Sequence, residues 1–123
     1  MIQYKYGLEM EQEKEIRWIG SAYVDILNFP LESRREAGFQ LGKVQAGLDP
    51  DDWKPFGNVG AGTREICIRD ATGIYRVMYV TKFEEAIYVL HCFQKKSEST
   101  TKRDKDIVEA RYRAVVRERS ESK

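Results

Sequence analysis

Residues 64–96 read REICIRDATGIYRVMYVTKFEEAIYVLHCFQKK. Three runs within it, REICIRD, GIYRVMYV and AIYVLHCFQ, alternate their side chains with the period of a strand and are rich in β-branched and aromatic residues. The links DATG and TKFEE are short enough to join antiparallel neighbours, so the stretch predicts a three-stranded meander. In the first strand Arg64, Ile66 and Ile68 share one face, and Glu65, Cys67 and Arg69 the other. In the second, Ile74, Arg76, Met78 and Val80 form one row, which sets Arg76 among apolar neighbours. A guanidinium in such a row needs either a carboxylate such as Glu65 or an anionic ligand. The third strand ends on Lys95 and Lys96. Either these lysines mark where a buried strand reaches water, or they face Arg76 and make a small cationic pocket with it.

Outward from the meander, TTKRDKDIVEARYRAVVRERS opens with hydroxyls, carries acids in its first turns and arginine near its end. It reads as a helix with Ile107, Val108, Ala110/Arg111, Ala114 and Val115 on one stripe. Upstream, LDPDDWKPFGNVGAGT is rich in turn formers and reads as a connecting loop anchored by Trp53 and Phe56. LESRREAGFQLGKVQAG predicts a helix whose packed face carries Leu31, Arg34/Arg35, Gly38, Leu41 and Val44, with Gly47 as its stop. A shorter helix, AYVDILNF, follows an N-cap at Ser21 and is ended by Pro30, and EIRWIG before it alternates as a short strand. The order is β-α-α-β-β-β-α. The fold class is α+β, a small, mainly antiparallel sheet of three to four strands with a helical hairpin on one face and the last helix packed nearby. Ile66, Ile68, Val77, Tyr79, Val89 and Leu90 are the expected core. Residues 1–14 read as a polar tail, 15–119 as a single domain and 120–123 as a C-terminal tail.

Bulk composition agrees with one domain, since 123 residues with 41% hydrophobic and 33% charged side chains support a single core under a solvated surface. No run approaches the roughly 18 apolar residues of a membrane span. The first residues lack an apolar leader segment, so a cytoplasmic protein without membrane contact is expected. Cys67 and Cys92 lie in apolar segments without C-x-x-C spacing and read as reduced core thiols; neither a metal nor another cofactor is expected. Net charge is +1, but residues 1–59 hold 7 basic against 10 acidic side chains and residues 60–123 hold 14 against 10. A polyanion would therefore meet the second half of the chain.

In order and spacing, WIGS, REAGFQLGKVQAGLDPDDWKPFGNVGAGTREI, YRVMYV, AIYVLHCFQKKS and TTKRDKDI resemble the HigB-like branch of the RelE toxin family, whose members often carry a phage-derived description. The likeness covers about residues 15–117. It implies the toxin of a type II toxin-antitoxin pair, a small endoribonuclease (mRNA interferase) that cuts messenger RNA on the translating ribosome and so inhibits translation. It also implies a helix-turn-helix antitoxin, HigA-like, as partner. The other reading is a non-catalytic phage-derived accessory or protein-binding domain of the same fold.

By this resemblance YR puts the phosphate-binding arginine at Arg76, and FQKKS puts the basic cluster at Lys95 and Lys96, the three expected catalytic residues. Lys54 and Arg64 match less uniform positions; with Arg69, Tyr75 and Lys102 they are expected to bind RNA, Tyr75 as an exposed ring beside Arg76 that stacks on a base. RelE has a tyrosine shortly after the basic cluster where this chain reads SESTTKRD, and Tyr112 lies too far along to replace it, so the general base is left open. His91, the only histidine, is read as a core or supporting residue, its alternation placing it beside Val89 and Phe93. RNA cleavage without metal needs in-line attack by the 2′-OH, stabilised charge on the non-bridging oxygens and a proton for the leaving 5′-oxygen. Arg76 suits the second need and a lysine crowded by cations the proton transfer.

Overall fold

The computed structural model describes residues 13–122, together with the backbone of two short strands nearer the N-terminus. Those two, β1 (Gln3–Lys5) and β2 (Leu8–Met10), pair antiparallel in a small sheet of their own within the stretch read as a tail. The domain proper runs β3 (Ile16–Trp18), α1 (Ala22–Leu27), α2 (Leu31–Gln45), β4 (Trp53–Pro55), a 3₁₀ turn (Gly57–Val59), β5 (Thr63–Asp70), β6 (Gly73–Val80), β7 (Ile87–Lys95) and α3 (Lys102–Glu121). Its sheet has the order β3-β7-β6-β5-β4, with β3 parallel to β7 and every other pair antiparallel. The meander is therefore as the sequence predicts, within a mixed α+β sheet of five strands rather than three or four. The additional strand is β4. Its three residues sit inside the turn-rich segment read as a loop, and they are extended because β5 offers them an edge, with Lys54 opposite Glu65.

The two faces of the sheet bury separate clusters. On one face α1 and α2 pack Ala22, Ile26, Phe29, Ala37, Leu41 and Val44 against Ile66, Ile68, Val77, Tyr79, Val89 and Cys92. On the other, Val108 and Val115 of α3 pack on Met78, Val80, Tyr88 and Leu90. All six expected core residues are buried. The packed stripe of α2 is rotated from the one expected: Ser33, Ala37, Gln40, Leu41 and Val44 face inward while Leu31 is exposed, because the glycine-interrupted pattern leaves the sheet, not the helix, to choose the face. In α3 only Val108 and Val115 of the expected stripe are buried, the helix touching the sheet along one narrow seam.

Helix ends follow local chemistry. Thr101 caps α3 by accepting from the Asp104 backbone N–H, as a hydroxyl at that position should. Ser21 occupies the N-cap position of α1 but makes no capping bond; its hydroxyl donates to Asp25 and accepts from Arg111 of α3.

Between Tyr79↔Val89 and Met78↔His91 the β6–β7 register slips by one residue, leaving Leu90 as the extra residue of a bulge. Past the bulge the parity of β7 is reversed. His91, Phe93 and Lys95 turn to the α3 face, whereas Ile87 and Val89 before it lie on the α1/α2 face.

Candidate active site

Register alone assembles the site. Successive rungs on the α3 face are Lys54–Glu65–Met78–His91, then Cys67–Arg76–Phe93, then Arg69–Ile74–Lys95. Facing residues of one rung lie about 5 Å apart at Cα, so Glu65, Arg76 and Lys95 run diagonally across three strands as neighbours. α3 lies over the upper rungs, and the lower ones remain at the end of the sheet that it does not cover.

At the centre is Glu65, whose side chain has 0% exposure. Its Oε1 lies 3.5 Å from Arg76 Nε and 3.5 Å from Lys54 Nζ, and its Oε2 accepts from Thr100 Oγ1 at 3.4 Å. Arg76 is not an unpaired cation in an apolar row; it is 93% buried at its side chain and paired with Glu65. The pair is loose: neither Arg76 Nε nor Glu65 Oε1 has a partner within hydrogen-bond geometry. The Lys95 ammonium is held below its usual pKa, first by burial and then by the Arg76 charge; Lys54 adds to the shift and Glu65 opposes it. Cys67, in the rung of Arg76, is half-buried at the site rather than in the core, and burial pushes its thiol up.

Not every expected site residue reaches this place. Lys96 follows the last residue of β7 and is exposed. Arg69 is on the correct face at the rim, 3.9 Å from Asp52. Lys102 is 88% exposed on the first turn of α3 and pairs with Asp106 at 2.8 Å. Two residues fall on the wrong face. Tyr75 is buried against Phe29 with its hydroxyl 2.6 Å from that of Thr72, because strand neighbours point oppositely and Arg76 takes the other side. Arg64 likewise points to the α2 side, its guanidinium 4.1 Å from the Trp53 ring centroid and 3.1 Å from Asp49.

His91 supports the site from within. Its Nε2 donates to Asp104 at 2.8 Å, since a carboxylate only accepts, and its ring stacks on Phe93 at 4.8 Å. Burial lowers its pKa, and the Asp104 carboxylate opposes that shift. It does not sit beside Val89, as strict alternation suggests, because the bulge intervenes. Thr100 escaped notice as a site residue: the hydroxyl run before α3 signals a helix cap, which Thr101 is, and nothing local distinguishes the neighbour that turns inward to Glu65. At the other end of β7 a second polar cleft is lined by Arg17, Glu85, Tyr88 and Arg119. Its arginines are already engaged, Arg119 by Glu85 and Arg17 by Tyr88.

Among the described residues no His, Cys, Asp or Glu side chains gather in a group of three or more able to hold a metal, and no helix is long and apolar enough to cross a membrane. A mixed five-stranded sheet with three helices defines a domain compatible with a RelE-like fold. Residues 24–113 match the model of the phage-derived Gp49-like protein family (DUF891). The chain belongs to that family, which lies within the RelE/ParE-like toxin superfamily. No curated protein matches it.

Proposed function

We propose that this chain is a HigB-like toxin of a type II toxin-antitoxin pair, a metal-independent endoribonuclease that cuts messenger RNA on the ribosome and is neutralised by a helix-turn-helix antitoxin. The observation that carries the reading is the grouping of Arg76, Lys54 and Lys95 about one buried carboxylate, with Lys54 and Lys95 reaching solvent at its edge. Arg76 binds the scissile phosphate through its guanidinium fork. Lys95, its pKa lowered by burial and by the Arg76 charge, moves a proton at the attacking 2′-oxygen or the leaving 5′-oxygen. Lys54 and Arg69 hold the flanking backbone as rim cations. Tyr75 and Arg64 have no part in this, being on the far face.

A non-catalytic protein-binding domain is the second reading, favoured by the depth of Arg76 and its pairing with Glu65. Induced expression of the chain alone, and again with a helix-turn-helix antitoxin, followed by mapping of RNA 5′ ends, separates the two. The nuclease reading expects growth arrest and new ends within open reading frames, both suppressed by the antitoxin, with chelator leaving cleavage in vitro unchanged. Arrest-free expression of folded protein with no new ends overturns it.

A further inference from the structure

We infer that Glu65 is the positioning residue of this site, a buried carboxylate that fixes Arg76 by its Nε and Lys54 by its Nζ and so leaves the paired Nη atoms of Arg76 aligned for a phosphate. The inference rests on the reading of Arg76 as the phosphate ligand. Burying a carboxylate completely is costly, and a buried ion pair can often be replaced as a whole by apolar side chains without loss of stability, so the retention of Glu65 with Arg76 inside the sheet needs a reason. Its connections supply one. Through Oε1 it reaches β4 and β6, and through Oε2 it holds the Thr100 hydroxyl of the loop between Lys95 and α3. One side chain thereby sets the relative position of the three segments that carry the cations.

Two details favour positioning over a simple ion pair. An arginine paired for stability commonly meets a carboxylate through two parallel N–H bonds, whereas Glu65 stands near Nε, 3.5 Å away, and that nitrogen has no other partner. Charge points the same way. One carboxylate among Arg76, Lys54 and Lys95 leaves the cluster cationic, attractive to a phosphate, while restraining the loss of the Lys95 proton.

Glu65→Gln keeps the size of the side chain and removes its charge. Nitrogen-detected NMR of the arginine Nε–H groups, run on wild type and variant, is the test that needs no activity: the Arg76 signal should shift and exchange faster in Glu65→Gln. With a short RNA substrate kcat should fall at least tenfold while KM changes less than threefold, and the limb of the pH profile assigned to Lys95 should move to lower pH. Glu65→Asp, which restores charge one methylene short, should recover the pH limb but not kcat. An unchanged Arg76 Nε–H signal with kcat within twofold of wild type overturns the inference. If Glu65→Gln does not fold, Lys54→Met replaces it: leaving Glu65 to Arg76 alone should shift the Nε–H signal downfield, and no shift overturns the inference equally. A wild type that neither cleaves RNA nor binds a 2′-deoxy analogue sinks the nuclease reading, while the Nε–H comparison still decides whether Glu65 positions Arg76.

Discussion

Arg76 serves the packing and the proposed chemistry together, so alanine at this position cannot separate them. Removing it leaves Glu65 buried with Lys54 as its remaining ion-pair partner, and breaking such a pair costs about 3–5 kcal/mol. Urea unfolding of Arg76→Ala should show a loss at the lower end of that range, since the Lys54 ammonium remains 3.5 Å from the same oxygen. Arg76→Lys retains the charge without the fork and should unfold closer to wild type while losing cleavage, which makes it the informative variant. The adjacent lysines divide in the same manner. Lys95 stands in a rung of the site and Lys96 beyond the strand end. Lys95→Ala should abolish toxicity in a growth assay and Lys96→Ala should leave it near wild type. Both should keep stability within about 0.5 kcal/mol, as substitutions outside the core do.

At the scale of elements, the seat of α3 includes a close approach at Gly60. Tyr112 lays its ring over Gly60 and donates its hydroxyl to the Ala61 carbonyl at 2.6 Å. A Cβ on Gly60 would stand inside that ring, although the backbone there, with φ 165°, is extended and accepts any residue. Gly60→Ala should therefore cost about 1–3 kcal/mol by overpacking. In a Tyr112→Ala background the same change should cost far less, and a double-mutant cycle by chemical denaturation measures the difference. The bulge at Leu90 matters as much to function as α3 does to stability. Without it strict alternation would carry Lys95 to the face covered by α1 and α2, away from Arg76.

For the whole molecule, the polar cleft remote from the site contributes to the loss of stability in acid. The Arg119 guanidinium, bonded to Glu85 at 2.6 Å, holds that carboxyl at about 2. A folded-state pKa below the ordinary carboxylate value stabilises the protein above pH 4.5 and loses that contribution as pH falls toward 2. Glu85→Gln should be less stable than wild type at pH 7 by about 1 kcal/mol, a modest figure because solvent reaches both partners. The two stabilities should converge by about pH 2 when thermal unfolding is followed across the acid range.

What the sequence determined by itself was whatever depends on near neighbours along the chain. Alternation in residues 64–94 specified three strands and their apolar rows, hydroxyls before residue 102 specified a cap, and the charged residue in the row of Ile74 and Met78 marked Arg76. The tertiary structure decided what depends on pairing between segments. Alternation assigns parity within a strand but says neither which rows of two strands coincide nor where a bulge reverses the parity. Hence Glu65 joined the row of Arg76, Lys95 reached that face past the bulge and Arg64 was turned away, whereas alternation alone already set Tyr75 opposite to Arg76. Trp53–Pro55 is a strand for the same reason. Three residues around a proline carry almost no strand signal of their own, and they are extended because the edge of β5 supplies their partners.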